Sequence, residues 1–112
     1  MSSICRWTNE DTDDNVMGSG ATQWEWYRSG IDFDADARQY VVTMEDPNAE
    51  EEGSEREYRF TRGKVRSTVT DMAMGKLPVN GDIRGYAQAD DMDAVSMDCV
   101  IQWIVYGDIV YV

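Results

Sequence analysis

The sequence predicts an α+β domain, mostly β, built on a single antiparallel sheet of about four to six strands with one or two short helices. Three observations lead there. Tyr40, Val42 and Met44 alternate with polar or lesser neighbours over 39–45. Tyr58 and Phe60 alternate with Arg59 and Thr61 over 57–62. Residues 95–112 carry β-branched and aromatic side chains in a near-continuous apolar run, the pattern of a strand covered on both faces.

Taken in order, residues 9–20 (NEDTDDNVMGSG) are acids and turn formers and read as a mobile acidic loop. Residues 21–29 put Trp24 and Trp26 on one side and Gln23, Glu25 and Tyr27 on the other, which reads as a strand closed by Ser29 and Gly30. The 39–45 strand ends at Asp46-Pro47-Asn48, a turn signal. It forms a hairpin with 57–62 across an acidic loop at 47–55. Val65, Val69, Met72 and Ala73 recur at helical spacing before Gly75 and Lys76, so a short helix is read over 66–75 in spite of its Val and Thr content. Residues 77–91 read as irregular, with a turn at Asn80-Gly81. In 95–112, Met97, Cys99, Ile101, Trp103 and Val105 form one face of a central strand. Gly107-Asp108 interrupts it, and the final IVYV either extends the sheet or offers an edge to a second copy as a homodimer.

The 112 residues, beginning with Met, are expected to be one complete small domain, 1–112. With 42% hydrophobic residues and four Trp, the chain has enough apolar material for a core. No apolar run reaches the roughly 20 residues of a membrane span. The N-terminus lacks a basic start followed by an apolar stretch, so a cytoplasmic location is expected. Cys5 and Cys99 are then expected as reduced thiols, although first and last strands lying side by side would let them pair.

Charge dominates the composition. Asp and Glu number 22 against ten Lys and Arg, for a formal net charge of −12, and His is absent. Such a field repels nucleic acid and anionic membranes and attracts basic proteins. The absence of His removes Ser-His and Cys-His catalysis and His-bearing zinc sites. No carboxylate pair stands out, so no enzyme, metal site or cofactor is expected.

Five of the ten cations fall in 56–66, REYRFTRGKVR. Three readings are open: cross-strand ion pairs within the molecule, a positive spot on Arg59, Arg62, Lys64 and Arg66 for a second copy, or a phosphate site on the same residues. Asp32, Asp34 and Asp36 begin a calcium-loop pattern, but Ala37 and Thr43 stand where it needs Gly and Glu. If extended, these carboxylates would form a row at a spacing of about 6.7 Å, like the charge rhythm of a nucleic-acid backbone. The Gly18-Ser19-Gly20 stretch lacks the Lys and the flanking elements of a phosphate cradle.

The function expected from these features is a non-enzymatic acidic protein that occludes the basic, nucleic-acid-binding surface of another protein. By size and charge it is analogous to inhibitors that phages and mobile elements use against restriction or CRISPR-type defences. Candidate contacts are Asp32, Asp34, Asp36, Glu50, Glu51, Glu52, Asp90, Asp91 and Asp93, with Trp24 and Trp26 as core residues or aromatic anchors. The alternatives are an ordinary cytosolic domain, dimeric or not, whose acidity serves solubility in a salt-adapted or GC-rich organism, and a small phosphate-ligand binder using the arginine island.

Overall fold

The computed structural model describes residues 4–89 and 91–112. Among them it holds four α-helices and one three-stranded antiparallel sheet, 43% helix against 17% strand. The mostly-β expectation, with four to six strands, is therefore overturned.

The elements are α1 (Asn9–Gly18), a 3₁₀ turn (Ala21–Gln23), β1 (Asp32–Asp34), β2 (Gln39–Glu45), β3 (Glu55–Thr61), α2 (Arg62–Ala73), α3 (Gly81–Gln88) and α4 (Ala94–Tyr106). The sheet order is β1-β2-β3. In β2–β3 pairing, Tyr40 faces Phe60 and Val42 faces Tyr58; this hairpin and its acidic loop are as the alternation indicates. Tyr40, Val42 and Met44 are fully buried on the face that the helices cover. The same pleat sends Asp32, Asp34, Glu45, Glu55, Glu57 and Arg59 to the opposite face.

The largest correction is 95–112. Residues 94–106 are helical, not a central strand. Asp93 caps the helix by accepting from the Ser96 N–H at 2.8 Å, and Gly107 closes it in the left-handed region at φ 72°. Thirteen residues are also long for a strand and ordinary for a helix. Met97, Val100 and Ile101, at i, i+3 and i+4, are all fully buried. Because α4 packs against α2, α3 and β3, it is apolar on most sides, and that blurs the period that would have distinguished it. The expected terminal edge strand is irregular chain over 107–112, so strand pairing between copies has no element there.

Residues 9–18 form a helix where a loop was expected. Thr8 and Asp11 make a reciprocal capping box, and the narrow buried stripe is Thr12 and Val16. Only one of those two is apolar, so hydrophobic spacing could not reveal it. In 21–29 the expected strand is instead a 3₁₀ turn over Ala21–Gln23 and a second turn in which the Tyr27 N–H donates to the Trp24 carbonyl at 3.1 Å, and Trp26 and Tyr27, expected on opposite sides, are both buried. The segment's backbone pairs with the sheet at a bridge from Tyr27 to Met44, beside which Ser29 Oγ accepts from the Thr43 N–H at 2.9 Å. Asn80, expected in a turn within irregular chain, is a helix cap accepting from Ile83 N–H at 2.9 Å, and α3 follows. The helix expected over 66–75 exists but starts at Arg62, capped by Thr61, which accepts from Lys64 N–H at 3.0 Å. Asp36 lies in the β1–β2 turn, so the three carboxylates do not form an extended row.

Gly107→Ala tests the α4 ending directly. A helix closed by a left-handed residue should lose about 1–2 kcal/mol on gaining a Cβ, read by chemical denaturation. A strand at this position would be unaffected or firmer.

Candidate functional site

Three members of the arginine island, Arg59, Arg62 and Arg66, are engaged by side chains of the same molecule. Arg62 opens α2, where a cation opposes the helix dipole, so its placement needs another cause. Its Nε and Nη2 donate to Asp13 Oδ1 at 2.9 Å and Oδ2 at 2.7 Å, a two-pronged pair. Its guanidinium carbon lies 3.8 Å from the centroid of the Phe33 ring. The Tyr40 hydroxyl donates to the same Asp13 carboxylate. One cation thus ties α1, β1, β2 and α2 together. The Arg62 hydrogen bond is the main cause that holds the Asp13 carboxyl below the usual carboxylate value.

Arg59 bridges Asp34 at 3.1 Å and Glu57 at 3.2 Å on the outer sheet face. Arg66 donates to Asn9 Oδ1 and Thr12 Oγ1 on α1. Arg56 lies over Tyr58, and Lys64 is exposed on the first turn of α2. The guanidinium edges of Arg59 and Arg62 that would grip a phosphate or a second copy already hold carboxylates.

The acidic candidates occupy separate places. Asp32 and Asp34 project from the outer sheet face, with Asp36 in the turn beside them. Glu50, Glu51 and Glu52 sit at the tip of the β2–β3 loop, beyond the other end of β2. Asp93 is used to cap α4, and exposed Asp91 lies two residues before it. Asp90 lies outside the described residues. Among those described, no group of three His, Cys, Asp or Glu could hold a metal ion. Cys5 is half-buried and Cys99 buried, and the two are not joined by a disulfide. Burial, the largest cause, pushes the Cys99 thiol up to about 11, which leaves it protonated and unreactive at neutral pH.

The site the structure assembles lies at the loop end of the hairpin. A cleft of about 350 Å³ is lined by Glu45, Asp46, Glu50, Glu52, Val110 and Tyr111, among others. A second, of about 390 Å³, is lined by Glu25, Trp26, Arg28, Glu45, Glu52 and Tyr111. The two share Glu45, Glu52 and Tyr111. Five carboxylates therefore border this region against one cation, Arg28, which pairs with Glu45 at 3.6 Å. Glu25, Glu45, Asp46 and Tyr111 were not legible as site residues, because only folding brings 25, 45 and 111 together.

The wall between the clefts and the core is an aromatic stack. Trp24 and Trp26 lie 5.7 Å apart with planes 5° from parallel, and Trp26 and Tyr111 lie 5.5 Å apart at 13°. Trp26 is core and Trp24 is half-buried, packed against that core. Two buried polar residues of α4 hold the stack. Asp98 Oδ1 accepts from Trp26 Nε1–H at 3.0 Å and from the Tyr27 hydroxyl at 2.7 Å, and Oδ2 accepts from Gln102 Nε2–H at 2.9 Å. Burial is the main influence on Asp98 and raises its pKa, against these three hydrogen bonds. Gln102 also donates to the Tyr111 carbonyl at 2.9 Å, and its Oε1 accepts from the Val110 and Tyr111 N–H groups at 2.9 and 2.8 Å. Burial, followed by the hydrogen bond to Glu45, pushes the Tyr111 hydroxyl up to about 12.

Compared with protein-family models, with curated proteins and with solved structures, the chain matches none of them. No helix among the described residues is long and apolar enough to cross a membrane.

Two outcomes are expected. Gln102→Leu should release the C-terminal segment, with rapid amide hydrogen exchange at Val110 and Tyr111, and should cost about 1–3 kcal/mol through the donors and acceptors left unpaired. Because Asp13 titrates lower when folded, its stabilising contribution is complete above the unfolded value of 3.8 and is lost as pH falls through the depressed folded value. Arg62→Met should therefore flatten the acid limb of a stability-against-pH curve measured by urea titration.

Proposed function

We propose that this protein is a non-enzymatic acidic binding protein that occupies the basic, nucleic-acid-binding surface of another protein, as phage and mobile-element inhibitors of restriction or CRISPR-type systems do. The observation that carries the reading is the pair of adjoining clefts, bordered by Glu25, Glu45, Asp46, Glu50 and Glu52 and walled by Trp26 and Tyr111. Carboxylates beside a ring face suit arginine side chains, which combine a planar fork with stacking. The outer sheet face adds Asp32, Glu55 and Glu57 around a single, already paired Arg59. A field of this sign speeds encounter with a basic partner and screens strongly with salt.

The competing reading treats the acidity as adaptation to concentrated salt. It has no equivalent support, since it requires neither acidic clefts nor arginines paired to carboxylates of the same molecule. The phosphate-ligand reading is weakened by the carboxylates that already occupy Arg59 and Arg62.

The test has two arms. In thermal melts at about 0.1 M and about 3 M KCl, the protein should be folded and monodisperse at the lower salt; folding only at the higher salt would overturn the proposal in favour of adaptation. In affinity capture, the native chain should retain a nucleic-acid-binding protein that excess duplex DNA releases. The variant E25Q/E50Q/E52Q should fold equally well and lose it. Equal retention by both proteins, or release by salt but not by DNA, would exclude occlusion through these clefts.

A further inference from the structure

Against the same aromatic stack lies a third depression, of about 320 Å³, lined by Trp24, Trp26, Ile83, Val95, Asp98 and Tyr111 with Cys99 and Val112. Its chemistry differs from that of the acidic clefts. The lining is apolar or aromatic except for the Asp98 carboxylate and the Cys99 thiol. Asp98 is only 5% exposed, and it makes no ion pair with any described residue. Its partners are an indole N–H, a phenol and an amide, all neutral donors. Three donors aimed at one carboxyl match its ionised, acceptor-only form. A carboxylate offers about four acceptor positions. Two donors fall on Oδ1 and one on Oδ2, so Oδ2 keeps a position that no described residue fills. A buried anion with neutral partners and a spare acceptor gains strongly from a counter-charge in the same low-dielectric space.

We infer that this pocket binds an organic cation: an ammonium on an apolar body, its head toward Asp98 Oδ2 and its body between Trp24, Ile83 and Val95. The volume is at the small end of the ligand-pocket range and suits an arylalkyl amine. The indole of Trp24, at the end of the stack, adds cation–π attraction, for which Trp is the best partner. The same ammonium could be carried by a free amine or by a lysine side chain of a partner, and the free arylalkyl amine fits the aromatic lining better. This inference is independent of the acidic-cleft proposal, because Glu25, Glu50 and Glu52 do not line the pocket.

The experiment follows the Trp26 indole N–H resonance, whose proton is donated to Asp98, during titration with three probes. These are phenethylammonium, its neutral analogue 2-phenylethanol, and Nα-acetyl-lysine methylamide. Phenethylammonium should shift the resonance saturably and bind about tenfold or more tighter than 2-phenylethanol. A lysine amide that binds more tightly than phenethylammonium would keep the ammonium site and assign it to a partner's side chain. Asp98→Asn should reduce phenethylammonium to the affinity of the alcohol. Should that variant not fold, Val95→Trp, at a half-exposed position on the pocket lining, should close the site while leaving a cooperative melt. Equal affinity for amine and alcohol in the native protein, no shift at millimolar probe, or an undiminished shift in Val95→Trp would each overturn the inference.

Discussion

The buried carboxylate of Asp98 is the interaction on which most of this structure depends. A desolvated anion is costly unless its lone pairs are occupied, and here the indole of Trp26, the hydroxyl of Tyr27 and the amide of Gln102 occupy them. Each of these donors belongs to a different part of the architecture. Trp26 and Tyr27 carry the turn that docks on β2 at Met44. Gln102 carries the C-terminal segment, with both its N–H groups and its carbonyl oxygen fully used. The three-ring stack and the clefts against it follow from that one polar cluster in an otherwise apolar helix. Hydrogen bonding of this kind specifies a single arrangement where apolar packing alone would tolerate several.

A second polar cluster does the same work at the opposite end of β2. Asp13, Arg62, Tyr40 and Phe33 join two helices and two strands through one guanidinium. The two clusters differ in electrostatic type. Asp13 is compensated by a cation, and its carboxyl is held low. Asp98 has only neutral donors, and burial prevails to raise it. Four of the ten cations, Arg28, Arg59, Arg62 and Lys76, are held in ion pairs among the described residues, and carboxylates dominate the surface. The −12 net charge is expressed most densely where the β2–β3 loop meets the end of the chain.

The hairpin was legible because β2 and β3 are half-buried strands with a strict period of two, punctuated by Pro47 and the glutamates that follow. The α2 helix was legible from Val65, Val69 and Met72. Where the reading failed, it failed for stated reasons. The helix α4 is packed on most sides, so its apolar residues occupy both faces of any assumed period. The decisive marks were its end residues, Asp93 with Ser96 and Gly107, not its interior. The α1 helix buries a threonine and a valine, and its capping box lies among acids that resemble a solvated loop. Trp24 and Trp26 stack on one another across a turn and not along a strand, and Tyr27, expected on the opposite side, shares the Asp98 carboxylate with Trp26.

What the sequence determined by itself was charge, the lack of His-based chemistry, the central hairpin and the presence of an aromatic pair at 24 and 26. These are properties of composition and of neighbours two to four residues apart. Only the tertiary structure decided that the arginine island faces Asp13 and Asp34, that Glu25, Glu45 and Tyr111 border one cleft, and that Asp98 sits beneath the rings. Those contacts span tens of residues. They are selected by which polar groups must find partners once the apolar faces close, a condition that no local pattern encodes.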